Sequence, residues 1–264
     1  MTDEIDRSKL AYPHELREYE LQVVVACLRK QGISPSNTSL LEIGAGTGAQ
    51  ARELERLGLR VSAIDVADSN YAAARVWPVL DYDGRHIPFP DRHFDVVFSS
   101  NVLEHIPHMR EFQREIQRVL KDDGIAVHVL PSAAWRFWTT LSYYPHVLRK
   151  LSHARTAYAA VERRWTSAQG AARWKRVART FLPPRHGERG NWLTEQWYFS
   201  RTHWIRFFRE AGWNIIAAQS SGLFYTDNSI AARCLPLSVR RALSTVLGAA
   251  TNILVLRKRN RPQG

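Results

Sequence analysis

The sequence predicts an α/β chain with a doubly wound, seven-stranded Rossmann-like sheet and a basic helical insertion. Three observations lead there. Short β-branched runs alternate with helical stretches through the first half. The first run enters a turn with three glycines, and about fifty residues interrupt the alternation before it resumes.

The first run is Leu40-Leu41-Glu42-Ile43, followed by Gly44-Ala45-Gly46-Thr47-Gly48. Glycines at alternate positions let the backbone adopt angles closed to other residues and approach a ligand closely. Ala49 to Leu57 has helical character, so amides at a helix N-terminus are expected to face that ligand. Glu42 is an acid in an otherwise apolar strand, where burial is costly unless a partner is supplied. Gly44-x-Gly46-x-x-Ala49 also fits a dinucleotide fingerprint, and a tight turn with no ligand produces the same letters, so this turn leaves the ligand open.

Further elements follow in order. Arg60 to Asp65 is a β-branched strand ending in an acid that can accept both hydroxyls of a ribose. Val79 to Gly84 contains two acids, Asp81 and Asp83, before a glycine. Phe94 to Ser99 is the next strand, Ser100 to Ile106 its exit, Arg110 to Leu120 a helix, Lys121 to Gly124 a turn, and Ile125 to Leu130 a strand.

Taken together, LLEIGAGTG, AIDVA, DYDGRHIPFPDRHFDVVFSSNVLEHI and RVLKDDGIAVHVLPS resemble the core of a class I S-adenosylmethionine-dependent methyltransferase of the small-molecule and lipid type. Four ordered segments across residues 39–131 are far more specific than one glycine loop. Asp122-Asp123-Gly124 replaces the family's usual Pro-Gly-Gly, in a turn that is structural. The resemblance implies S-adenosyl-L-methionine as cofactor. It implies that Glu42, Gly44, Ala45, Gly46 and Gly48 line its methionine end, and that Asp65 and Val66 bind the ribose. Asp83 and Gly84 lie at the adenine, and Ser99, Ser100 and Asn101 near the sulfonium. A helix from Pro13 to Lys30 is expected to cover that site.

The chain has 264 residues, 45% of them hydrophobic, consistent with one methyltransferase domain over 1–264. In this reading residues 1–131 are the cofactor-binding core, 132–190 a helical insertion and acceptor loop, and 191–264 the part that completes the sheet. Cys27 and Cys234 cannot build a disulfide framework and have no metal-ligand companions, so a reducing compartment and a metal-independent reaction are expected. The acidic MTDEIDRSKL does not read as a secretory signal, and no apolar run reaches the roughly 18 residues that span a bilayer. The expected location is cytoplasmic, free or peripheral on the inner membrane face.

Charge is uneven. Residues 1–131 hold 15 Lys and Arg against 20 Asp and Glu, whereas residues 132–190 hold 12 against 2. Eight of nine tryptophans lie beyond residue 131. Helices are expected from Trp135 to Leu151, Ala154 to Trp165 and Ala171 to Phe181. The last is basic and amphipathic, as in elements that form a lid or lie on an anionic membrane. Nucleic acid is the disfavoured partner. The Asn/Asp-Pro-Pro-aromatic motif of base-amine methylation is missing after the fourth strand, and neither cysteine is placed for attack on a pyrimidine.

Arg185 to Ser200 reads as a loop dense in functional groups. Its His-Gly-Glu pattern, followed by Glu, Phe and Trp, resembles bacterial methyltransferases that sit beside glycan and lipid assembly enzymes, which implies that His186, Glu188 and Glu195 face the acceptor. Ser200 or Thr202 can cap a helix from His203 to Ala211 ending at Gly212. Trp213 to Ser220 and Asn252 to Arg257 read as strands, and the resemblance implies that they pair antiparallel and close the seven-stranded sheet. An alcohol acceptor needs a general base, for which His105 comes first, then His186 and Glu188. The remaining histidines read as structural or exposed. The expected reaction is O-methylation of a small-molecule hydroxyl, lipid-linked or on a glycan. The alternatives are C-methylation of a quinone-like or sterol-like ring, and binding of S-adenosylmethionine without transfer.

Overall fold

The structure, a computed structural model, describes residues 7–158, 182–226 and 235–259. They fall into two compact units. One comprises residues 1–131, 200–221 and 251–264, and the other 132–199 and 222–250. The break after Pro131 coincides with the start of the expected insertion. Residues 222–250, expected to belong with the sheet, group instead with the insertion.

The first unit is built on seven strands: β1 (Ser39–Ile43), β2 (Arg60–Val66), β3 (Leu80–Tyr82), β4 (Phe94–Ser100), β5 (Leu120–Pro131), β6 (Trp213–Ser220) and β7 (Thr251–Lys258). Their order across the sheet is β3-β2-β1-β4-β5-β7-β6. β7 runs antiparallel to both neighbours and the other pairings are parallel. Reversal of strand order between β1 and β4 opens a crevice at the strands' C-terminal ends, where ligands bind in open α/β sheets.

Both faces of the sheet are covered, so its central strands are apolar on both sides. Leu41, Ile43 and Val97 pack on one face with Phe112 and Ile116 of α3 (Met109–Val119) and Trp204 and Phe208 of α5 (Arg201–Glu210). Leu40, Val96 and Phe98 pack on the other with Leu54 of α2 (Ala49–Arg56) and Leu21, Val24 and Leu28 of α1 (Arg7–Lys30). Leu21, Val24 and Leu28 recur at helical spacing, which holds α1 on the sheet through one stripe. Ser200 caps α5 by accepting from the His203 amide at 3.1 Å, and Gly212 ends it at φ 89°.

Two local expectations change. The Lys121–Gly124 turn sits inside β5 as a bulge, since Leu120 faces Phe94 whereas Ile125 already faces Val96. Gly124 fits there because a Cβ would meet the Asp95 carbonyl at 2.9 Å.

The second unit contains α4 (Ala133–Tyr158), α6 (Leu237–Leu247) and a helical turn at Glu195–Tyr198. α4 runs continuously past Leu151, where a break was expected, with Pro145 inside it. The helix expected over 171–181, and the part of 154–165 beyond residue 158, lie outside the described residues, as does Cys234. Cys27 is buried.

Candidate active site

A cavity of about 540 Å³ opens in the first unit at the C-terminal ends of β1, β2 and β4. That size suits a nucleoside-containing cofactor. Its wall includes Gly44, Ala45, Gly46, Asp65, Val66, Asp83, Gly84, Ser100, Asn101 and His105, ten of the residues singled out by sequence.

The glycine turn is locked onto β2. The Gly44 and Ala45 amides donate to the Ile64 carbonyl at 2.8 and 3.1 Å, and the Gly46 amide donates to Asp65 Oδ2 at 2.8 Å. Gly44 and Gly46 have φ of 70° and 56°, the left-handed region where glycine alone is unstrained. A Cβ on Gly44 would lie 2.3 Å from Val102 Cγ2, so the wall has no room for one. The amides of Gly44, Ala45 and Gly46 are thus spent holding the turn's shape.

Asp65 organises the same corner. Its Oδ2 also accepts from Ser69 Oγ at 2.9 Å, while Oδ1 accepts from the Val66 amide at 2.8 Å. A carboxylate has about four acceptor positions, so three occupied ones leave capacity on Oδ1 for a hydroxyl. Asp83 is similarly committed, accepting from the Arg85 and His86 amides at 2.7 Å each and lying 2.8 Å from His86 Nδ1. These bonds hold its carboxyl well below the usual range. His108 Nε2 lies 2.9 Å from the Gly84 carbonyl and pins the next residue. Asn101, at φ 55°, turns the chain away from β4 in a conformation that asparagine tolerates.

Three residues read as cofactor ligands do not line the cavity. Glu42 is 2% exposed, and burial pushes its carboxyl up to about 8. Among the described residues its Oε2 has no hydrogen-bond partner, an orphaned acceptor that suits a donor or cation brought by a ligand. Gly48 caps α2 at φ 75° and faces Trp77 and Val79. Ser99 points into the core, its Oγ 2.8 Å from His128 Nδ1, because strand alternation presents Ser100 to the cavity instead.

His105 stands at the cavity wall beside Glu104, its Nε2 3.8 Å from Glu104 Oε1. The Glu104 side chain is fully buried, and burial pushes its carboxyl up to about 8. Sequence reading passed over Glu104, although an acid flanked by Leu103 and His105 signalled a buried carboxyl. It also passed over Arg17, Ser69, Tyr71, Tyr82 and His108, all in the wall. Arg17 comes from α1, which thereby reaches the site as expected.

In the second unit the expectation for Glu195 is corrected. It is fully buried, its Oε1 accepts from the His186 and Gly187 amides at 2.7 and 2.8 Å, and its Oε2 pairs with Arg136 Nε at 2.8 Å. Its carboxylate is spent on its own loop. Glu188 pairs with Arg185 at 3.3 Å near the surface, and the His186 ring packs edge-on against Trp135 at 4.6 Å.

A doubly wound sheet, a glycine turn after its first strand and an acid ending its second define a protein that binds a nucleoside cofactor at the sheet's switch point. Residues 41–128 match the family described as a methyltransferase domain. Demethylmenaquinone methyltransferase of Tropheryma whipplei (strain Twist) is 32% identical over 94 residues, 32% of this chain and 38% of that protein. Ubiquinone biosynthesis O-methyltransferase of Paramagnetospirillum magneticum is 29% identical over 109 residues, 38% of this chain and 43% of that one. The chain thus matches about two fifths of the length of these curated relatives. A putative sarcosine dimethylglycine methyltransferase from Galdieria sulphuraria shares the fold with TM-score 0.53 and 16% identity, over 92% of this chain and 86% of its own. An S-adenosylmethionine-dependent methyltransferase from Mesorhizobium loti does so with TM-score 0.51 and 14% identity, over 88% and 96%. Residues 41–128 of this chain thus match a methyltransferase domain, on a fold shared with S-adenosylmethionine-dependent methyltransferases.

Proposed function

We propose that the chain O-methylates a hydroxyl of a small-molecule acceptor, lipid-linked or part of a glycan, using S-adenosyl-L-methionine. The observation that carries this reading is His105 in the cavity wall, backed by the buried Glu104 carboxyl. S-adenosylmethionine supplies an electrophilic methyl group when bound, so the protein must align an acceptor and exclude water. Asp65, through Oδ1, would take the ribose hydroxyls, and Asp83 and Gly84 the adenine edge. Glu42 would answer the cofactor's cationic end, and Ser100 and Asn101 would flank the reacting centre. His105 would take the hydroxyl proton as the oxygen attacks, with the buried Glu104 carboxyl lying 3.8 Å from its Nε2.

His186 and Glu188 remain in this proposal as acceptor-side candidates. Carbon methylation of a quinone-like ring is the second reading, favoured by the demethylmenaquinone relative. Methyl transfer from labelled S-adenosylmethionine to a panel of hydroxylated lipids, glycans and quinols tests both. Labelled ethers support the first reading and ring-methylated products the second. Absence of any transfer by protein that binds the cofactor would leave a binding protein.

A further inference from the structure

The second unit presents apolar side chains outward as well as inward. On α4, the exposed positions through residue 145 are Phe137, Leu141, Tyr144 and Pro145, all apolar or aromatic. Phe137, Leu141 and Tyr144 follow four-and-three spacing and form one stripe. The buried positions of the helix include Trp135 and Val147 as well as Arg136 and Thr139. A helix resting in water turns charged or polar residues outward, which this stripe does not.

α6 also exposes apolar residues, interspersed with exposed Ser238, Arg241 and Thr245. Val239, Ala242 and Val246 are exposed at spacings that place them on one face, and Val246 is 83% exposed. The two helices touch within this unit, for Trp138 Nε1 donates to the Leu247 carbonyl at 2.9 Å. Among the described residues, eight of the twelve exposed large hydrophobics belong to the second unit, which is much the smaller of the two. An apolar surface of that extent marks an interaction site.

Charge says what covers it. Residues 132–199 and 222–250 hold 15 Lys and Arg against 4 Asp and Glu, whereas the rest of the chain holds 22 against 21. Nearly all of the net charge of +12 sits on the unit with the outward apolar faces. A second copy of so basic a unit would be repelled. A nucleic acid would satisfy the cations but not the α4 stripe, whose exposed positions through residue 145 carry none.

We propose that the second unit docks on an anionic bilayer, seating Phe137, Leu141, Tyr144 and Val246 among the acyl chains while its arginines meet the lipid headgroups. Apolar insertion and headgroup attraction act together in such binding, each weak alone. This inference is independent of which acceptor is methylated.

Flotation of the full chain with vesicles tests it, using phosphatidylcholine alone and phosphatidylcholine with phosphatidylglycerol. The chain should float with the anionic vesicles and bind neutral ones at least about tenfold less tightly. The double variant Leu141→Gln, Val246→Gln changes exposed positions, so its melting temperature should match that of the parent. Its partition into anionic vesicles should fall by about tenfold or more. No flotation of the folded chain would overturn the proposal. So would undiminished binding by the double variant, which would mean charge alone, or lipid-free dimers abolished by the same substitutions, which would mean a second copy.

Discussion

Asp65 Oδ2 accepts the Gly46 amide at 2.8 Å, so the acid that ends the second strand also fixes the glycine turn after the first. Cofactor recognition and loop shape therefore share one side chain. Asp65→Ala should remove the bonds to Gly46, Val66 and Ser69 together. Affinity for S-adenosylmethionine should fall by more than tenfold, since each hydrogen bond to a charged group contributes about 1.5–3 kcal/mol. Calorimetric titration of the folded variant checks this, and binding equal to the parent's would contradict it.

Gly44→Ala places a methyl group 2.3 Å from Val102 Cγ2 at a positive φ. Cofactor affinity should fall at least as far as in the Asp65 variant. Gly44→Ala with Val102→Ala should recover part of it, because the clash is relieved and the strain remains. No recovery would mean that backbone strain dominates.

The Arg136–Glu195 pair is buried on both sides, and Glu195 also receives two backbone amides. Glu195→Ala removes the buried carboxylate that the Arg136 guanidinium and the His186 and Gly187 amides share. A loss of about 3–5 kcal/mol is expected from denaturant unfolding. An effect below about 1 kcal/mol would show that Glu195 is not the anchor of the Pro184–Gly187 loop.

Stability should depend on pH from two opposed sources. Burial pulls His128 down from 6.5 to about 3, so the unfolded chain binds its proton first as pH falls. That contribution is full above about 6.5 and is lost toward 3, with a slope of up to about 1.4 kcal/mol per pH unit. Burial raises Glu42 and Glu104 from 4.5 to about 8, so their protonated folded forms lose stability as pH rises across that interval. His128→Gln should flatten the acid side of the stability profile and Glu104→Gln the alkaline side. Urea unfolding between pH 4 and 9 distinguishes them, and unchanged slopes would contradict the burial of these groups.

His105→Asn should spare cofactor binding and lower kcat by about 10²–10⁴-fold if the imidazole takes the proton. Glu104→Gln should lower kcat less, and shift the pH profile of kcat, because it acts through His105. Equal kcat in the parent and the His105 variant on a hydroxyl acceptor would remove His105 from that role.

Much of the sheet was legible because each strand is a short β-branched run bounded by glycine or acidic turns. Trp213–Ser220 was read with its true bounds, and Ser200 as a cap follows from its position before His203. What escaped reading depends on long-range packing. Whether Ser99 or Ser100 meets the cavity is set by where β4 leaves the sheet. Glu195 looked like an acceptor ligand because its partners, Arg136 and the His186 and Gly187 amides, are brought to it only by the fold. Residues 222–250 join the insertion through bonds such as Trp138 Nε1 to the Leu247 carbonyl, which no local pattern announces.

Calorimetric titration of the folded chain with S-adenosylmethionine, S-adenosylhomocysteine and NAD bears most directly on the site at the end of β1 and β2. Micromolar binding of both sulfur nucleosides, with none of NAD, is expected. Failure of either sulfur nucleoside to bind, or equal binding of NAD, would contradict the methyltransferase site and leave only the fold.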